Sequence, residues 1–348
     1  GVRRVGGRCG TTPEHIRQIK AAVAELHPAA PAGRARGGAT AAGGEAEVRA
    51  VAREQKSQLA RALGGRHFVT MVGLLPPKGF DAGRIVEDAR ALKIRGVDVV
   101  TIADQTHGPR MSALAVSVLI EQRAGIETVL QYASRDRNLV GMQSDLLGAH
   151  AMGVRNVLLV TGEPRGAGGY ADATEVFDVD SVGLTNVVAR LNRGHDIGGQ
   201  AIGGPTGFHV GVMINPAPES LDAEVRRFEY KVSAGAEFAL TRPIFDVATF
   251  ERLHERLARF GVPIVAGLWP LESLVDAEFM ANEVPGVSVP AAVLARMRAV
   301  ADGEAAVREG IAIARDVALG VKALAAGVHV AAPGGRVEHA LAVLDGLS

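Results

Sequence analysis

Residues able to do chemistry recur in this chain at one kind of place, immediately after short apolar runs. In order, the run ends carry Pro76-Pro77-Lys78, Ala103-Asp104, Arg135-Asp136-Arg137-Asn138, Thr161-Gly162-Glu163, Asn215-Pro216, Thr241-Arg242 and Trp269-Pro270. The fourth is the most telling. Asn156-Val-Leu-Leu-Val-Thr-Gly-Glu163 drives a buried stretch straight to a carboxylate, a group that can move a proton or tune the charge of a bound ligand. Glu224, Arg227 and Lys231 are spaced by three and four residues, which places them together on one helical face. That face is either a surface ion-pair ladder or a charged edge that grips a ribose or a phosphate. Gly162, Gly166, Gly168 and Gly169 form a loop whose backbone can approach a phosphate closely, without Rossmann or Walker spacing.

A regular alternation must position these groups. Leucine-rich and β-branched runs near 67–75, 97–103, 127–133, 156–162, 209–215, 237–242, 263–269 and 328–332 read as strands buried on both sides. Between them, helices are expected at about 81–95, 111–123, 138–152, 182–192, 222–234 and 247–260. A longer helical stretch covers 271–326, and a last helix starts near 336. Eight strand-helix units predict a closed (β/α)8 TIM barrel with a short N-terminal extension, rather than an open doubly wound sheet. In such a barrel the C-terminal strand ends and the loops after them share one face. Residues 28–44, rich in Pro, Ala and Gly, read as a flexible linker between the extension, 1–27, and the barrel, 45–348, which opens with a helix over 45–63. Gly198 to Gly207 precedes the fifth strand and is expected as a plain connection at the opposite barrel end.

Composition narrows the class. Basic and acidic residues balance at 38 each, so no nucleic-acid footprint is expected. No charged-then-apolar leader and no membrane-length apolar run is present, and Cys9 is the single cysteine, so a soluble cytoplasmic protein without disulfides is expected. The ten histidines are scattered, with no His-Glu-x-x-His pattern and no cysteine pair, so no metal site is expected. His150, on an apolar helix face, reads as a packed histidine. No Gly-x-Ser-x-Gly elbow offers a nucleophile. Hydride transfer from a bound cofactor remains open, because it needs no protein nucleophile.

A longer set of motifs resembles a known family. Arg135-Asp-Arg-Asn138, Gln143-Ser-Asp-Leu-Leu-Gly148, Thr161-Gly-Glu-Pro164, Phe177-Asp-Val-Asp-Ser181, Asn215-Pro216, Lys231-Val-Ser-Ala-Gly-Ala236, Thr241-Arg-Pro-Ile-Phe-Asp246 and Glu283-Val-Pro-Gly286 occur in the order found in methylenetetrahydrofolate reductases. The likeness is strongest to the reductase half of bifunctional enzymes that also carry a homocysteine S-methyltransferase domain. Gly6-Gly-Arg-Cys-Gly-Thr-Thr-Pro-Glu-His-Ile16 is similar to the last motif of that methyltransferase, with Arg8 in place of its first cysteine. Residues 1–27 are therefore expected to be a methyltransferase remnant unable to assemble zinc. The resemblance implies FAD as cofactor, NADH or NADPH as hydride donor and 5,10-methylenetetrahydrofolate as substrate. The product would be 5-methyltetrahydrofolate, serving one-carbon metabolism and methionine synthesis. It also implies a homo-oligomer. By position it assigns Gln131, Thr161, Gly162, Glu163, Asp178, Asp180, Ser181, Asn215, Glu224, Arg227 and Lys231 to FAD.

The chain departs from the family pattern at the reacting centre. Gly73 stands where the family has the carboxylic acid that protonates the folate ring, a loss worth about 10²- to 10⁴-fold in rate. Restoring Gly73→Glu is expected to raise turnover. Glu163 replaces an aspartate, Arg242 a glutamine at a pterin contact, Leu274 an aromatic residue, and Gln131 a histidine. Glu163 and Arg242 are the expected catalytic groups, and Arg242 and Leu274 the expected substrate contacts. Two alternatives stay open: an impaired flavin- or folate-binding barrel with a regulatory or scaffolding role, and a reductase with another electron donor or acceptor.

Overall fold

Val, Ile and Leu dominate the strand segments, and side chains on both faces are buried, as a sheet covered inside and outside requires. The computed structural model describes residues 17–18, 50–104, 108–162, 173–301 and 303–347. Two short helices come first, α1 (Arg53–Lys56) and α2 (Gln58–Gly64). The alternation then runs β1 (Val69–Leu74), α3 (Gly83–Ile94), β2 (Val99–Ile102), α4 (Ala113–Arg123), β3 (Glu127–Ala133), α5 (Leu139–Ala151), β4 (Asn156–Val160) and α6 (Ser181–Leu191). It continues with β5 (His209–Ile214), α7 (Leu221–Ala234), β6 (Phe238–Pro243), α8 (Val247–Leu257) and β7 (Ile264–Leu268). Three helices, α9 (Leu274–Asn282), α10 (Ala291–Arg298) and α11 (Glu304–Val321), lead to β8 (Gly327–Ala331) and α12 (Val337–Leu344). Each strand pairs in parallel with the next and β8 pairs with β1, closing the barrel.

Two expected helices break where local chemistry competes with them. The helix expected over 45–63 is interrupted at Ser57, whose extended backbone caps α2: Ala60 N donates to its hydroxyl, which itself donates to Asn156 Oδ1 at 2.5 Å. Residues 45–49 of that expectation lie outside the described residues. The stretch expected over 271–326 is three helices, because Pro285-Gly286 and Pro290 stop one and start the next, and Gly303 precedes the third. The remnant and linker expected over 1–27 and 28–44 lie outside the described residues except for Arg17 and Gln18, which are helical. The chain divides into Gly1–Glu47 and Val48–Ser348, and the barrel is the second unit.

Alternation along the strands sorts the core into two layers. Val72, Val100, Leu130, Val157 and Val212 face outward against the helices. Val69, Met71, Val99, Val129, Leu158, Phe238, Leu240 and Val265 face inward, where Leu59 and Leu63 of α2 join them. Thus α2 plugs the N-terminal end of the barrel, held by Glu127, whose carboxylate accepts from Gln58 N at 2.7 Å and Leu59 N at 3.0 Å at the positive end of the helix. The Gly198–Gly207 connection lies at this closed end, and Gly207 N donates to His150 Nε2 at 2.8 Å beside the Phe208 ring. His150 is a packed histidine. No described helix is long and apolar enough to cross a membrane. The closed end leaves the opposite mouth, at the strand C-termini, free to hold a site.

Candidate active site

That mouth opens into a cavity of about 640 Å³. Its deepest wall comes from inward-facing positions one layer above the plug: Gly73, Thr101, Gln131, Met213, Gly267 and His329. Its upper wall comes from the strand ends and the loops after them, Thr161, Gly162, Asn215, Arg242, Trp269 and the Pro285-Gly286 turn. Helix α7 closes one side, and its spacing has the consequence the sequence suggested. Ser220 caps it and Glu224, Arg227 and Lys231 all turn into the cavity.

Each charged group on that side is braced. Glu224 Oε1 accepts from Asn215 N at 3.0 Å, which ties α7 to the end of β5. Lys231 is buried, and its Nζ donates to the Met213 carbonyl at 2.6 Å. Burial pushes the Lys231 pKa down from its ordinary value, and the Glu224 carboxylate opposes the shift. Arg227 lies 4.0 Å from Asp180 across the α6–α7 junction. The half-buried Arg242 donates to the Pro285 carbonyl at 2.7 Å. Among the described residues that line this wall, Lys231, Arg227 and Arg242 outnumber the carboxylate of Glu224 and give it positive character.

Thr161 and Gly162 shape the rim after β4. Gly162 has φ +92°, and a Cβ there would lie 2.7 Å from the Arg135 Cβ, so only glycine lets the main chain pass. Ser181 N, at the start of α6, donates to the Thr161 hydroxyl at 2.9 Å. Glu163, expected as the key carboxylate, lies outside the described residues, as do Gly166, Gly168 and Gly169.

Not every expected site residue lines the cavity. Asp180 is the N-cap of α6, accepting from Gly183 N at 2.9 Å, and Asp178 accepts from Leu139 N at 2.8 Å at the start of α5. Both are exposed and do not themselves line the cavity, although Asp180 lies beside Arg227 and Ser181, which do. Their carboxylates are used at helix N-termini, where orphan backbone donors attract them. Leu274 is also absent from the lining; it packs with Trp269 onto a satellite core around Leu271 and Met280. Asp104 and Arg137, from neighbouring strand ends, pair with each other at 2.7 Å, and Arg137 lies over the Tyr132 ring. Neither of them lines the cavity.

Thr101 and His329 were missed as site residues. Their side chains share a hydrogen bond of 2.7 Å on the cavity floor. The surrounding barrel lowers the His329 pKa to about 4, although one edge of the ring opens onto the cavity. A polar residue at an inward position of an otherwise apolar strand was the available signal: His329 follows Gly327 with the same two-residue parity that points Val69 and Met71 inward.

Comparison with known proteins follows the geometry. The family model described as methylenetetrahydrofolate reductase matches residues 59–332, from the plug helix to the loop after β8. A probable methylenetetrahydrofolate reductase (NADPH) from Caenorhabditis elegans is 25% identical over 162 residues, 46% of this chain and 22% of that protein. A 5,10-methylenetetrahydrofolate reductase from Salmonella typhimurium is 26% identical over 208 residues, 59% of this chain and 64% of that protein. These matches span from under a quarter to under two thirds of the relatives' own lengths. Among solved structures, an uncharacterized protein from Clostridium thermocellum that binds two copies of 5-methyl-5,6,7,8-tetrahydrofolic acid shares the fold. It matches with a TM-score of 0.55 at 14% identity, over 83% of this chain and 98% of that one.

Proposed function

We propose, starting from the fact that this chain belongs to the methylenetetrahydrofolate reductase family, that its cavity binds FAD and reduces 5,10-methylenetetrahydrofolate to 5-methyltetrahydrofolate with NADH or NADPH. The observation that carries this reading is the charged edge of α7 turned inward at the C-terminal mouth of the barrel. The donor set there fits a dinucleotide. Lys231 and Arg227 would meet a diphosphate, Glu224 and Asn215 would accept from and donate to hydroxyls, and Gln131 would pair with an amide edge. The glycine backbone at 162 would let a flat ring approach the strand end without a Cβ between them.

Bound FAD would supply the hydride chemistry, relaying a hydride from the nicotinamide to the folate methylene carbon, while the bond from that carbon to N10 breaks and N10 takes a proton from water. The chain's own contribution is orientation and charge. Trp269 and the leucines of β6 and β7 give apolar walls that exclude water from a stacked heterocycle. Arg242, fixed by the Pro285 carbonyl, would place a cation where negative charge develops. The binding of a methylated folate by the Clostridium thermocellum protein supports a folate as the second ligand. A homo-oligomer and a methyltransferase-derived N-terminus belong to the same proposal.

The test is an FAD titration followed by visible absorbance and flavin fluorescence. Wild-type protein should take up FAD, and Lys231→Met, which keeps the length of the stem, should weaken it roughly 10- to 100-fold through loss of a charge-assisted contact. A wild-type chain that takes up no flavin sinks the reading.

A further inference from the structure

Three adjacent strands bring an unassigned group to the cavity floor. Barrel closure places Gly73 opposite Thr101 on β2, and Met71, two residues earlier on the same face, opposite His329 on β8. A Cβ at position 73 would lie 2.9 Å from His329 Nε2, 3.0 Å from His329 Cε1 and 3.4 Å from Thr101 Oγ1. A Cβ at 73 would therefore press on the imidazole, which would have to shift to admit it. Thr101 is buried and holds the ring in place through their 2.7 Å hydrogen bond.

We propose that His329, braced by Thr101 and given room by Gly73, orients the substrate: the pair is an uncharged hydrogen-bonding clamp for the edge of a neutral, flat heterocycle such as a pterin. The proposal rests on the folate reading above and adds the residues that would hold that substrate. Whichever tautomer the ring adopts, the bond within the pair uses one donor and one acceptor. With the Thr101 hydroxyl donating to Nε2, the remaining ring N–H is held by the His329 main chain, and the hydroxyl oxygen keeps its lone pairs as an acceptor. With the ring donating, the hydroxyl keeps its proton and the other ring nitrogen accepts. The hydroxyl thus presents an acceptor in the first case and a donor in the second, one contact for the edge of an amino-pyrimidinone.

Charge supports the same assignment. Burial favours the neutral imidazole, so the floor carries no formal charge at neutral pH, while Lys231, Arg227, Arg242 and Glu224 gather on the β6 and α7 side. The cavity is thereby divided into a charged wall suited to a phosphate-bearing cofactor and a neutral floor suited to an uncharged ring. A glutamate at 73 and the imidazole at 329 compete for one volume. Gly73→Glu alone should therefore disturb the floor, contrary to the gain expected from the sequence.

The experiment measures the dissociation constant of 5-methyltetrahydrofolate for the full chain by calorimetry, with FAD affinity and melting temperature recorded on the same samples. His329→Ala should weaken 5-methyltetrahydrofolate about tenfold or more with FAD affinity unchanged, as expected for the loss of one or two hydrogen bonds in a dry site. His329→Gln, whose amide offers both a donor and an acceptor, should recover most of the loss, and Thr101→Val should lose about threefold to tenfold. Gly73→Glu should weaken the folate, and Gly73→Glu combined with His329→Ala should restore the melting temperature lost by the single change. Wild-type protein that binds FAD and folate, with a folate affinity indifferent to His329→Ala, overturns the clamp alone. Loss of folate and FAD affinity together, without rescue by His329→Gln, also overturns it in favour of packing. Wild-type protein that binds no 5-methyltetrahydrofolate overturns the clamp together with the reading it rests on. Tighter folate binding or faster turnover in Gly73→Glu overturns the competition for space.

Discussion

His329 makes acid stability a direct reporter of the cavity floor. Its pKa in the folded protein is lowered to about 4, against about 6.5 in an unfolded chain. The unfolded state therefore binds the proton first as pH falls. Stability is fully present above the unfolded value and is lost progressively between about pH 6.5 and pH 4. At about pH 5 the difference in proton binding amounts to about 2 kcal/mol. The ring's edge on the cavity lets water solvate the imidazolium, which trims this to about 1–2 kcal/mol. His329→Gln cannot titrate. Urea unfolding of both proteins at about pH 7.5 and about pH 5 should show wild type losing about 1–2 kcal/mol more than the variant between the two conditions. Equal losses would refute the claim that the barrel holds His329 neutral.

The remaining predictions concern other positions. His209 is fully buried at the closed end beside Arg53 and Lys56, neither of its ring nitrogens has a partner among the described residues, and burial holds its pKa well below the ordinary value. His209→Leu should raise stability by about 1 kcal/mol at neutral pH and by more below about pH 6.5, where the wild-type ring resists the proton the unfolded chain accepts; lower urea midpoints at both pH values would contradict this. Gly310 on α11 lies against the Leu271 backbone, which a Cβ would strike. Gly310→Ala should cost about 2–3 kcal/mol and lower the melting temperature, and an unchanged thermal transition would show that α11 can move away at little cost.

The barrel was legible because each strand announces itself locally. β3 runs over the expected 127–133, and β5 and β6 fall within a residue of expectation, since buried parallel strands are apolar throughout and end at polar or glycine positions. The α7 face was legible too, because helical spacing alone puts Glu224, Arg227 and Lys231 together. Breaks inside apolar patterns were not. Ser57 and the Pro285 to Pro290 segment interrupt helices whose periodicity continues across the gap. Asp178 and Asp180 carried motif identity, and spacing gave no sign that their carboxylates also hold helix starts. The Thr101–His329 pair was hidden for a different reason. It depends on register between the first, second and last strands, more than 200 residues apart in the chain, and that register exists only once the barrel has closed.

The most direct test is anaerobic mixing of the FAD-loaded chain first with NADH or NADPH and then with 5,10-methylenetetrahydrofolate, following the flavin absorbance. Bleaching by the nicotinamide and return of the oxidised spectrum on folate addition, with 5-methyltetrahydrofolate recovered, is the expected result. Bleaching that persists in the presence of folate would contradict a reductase acting on this substrate and leave a flavin-binding barrel with another electron acceptor.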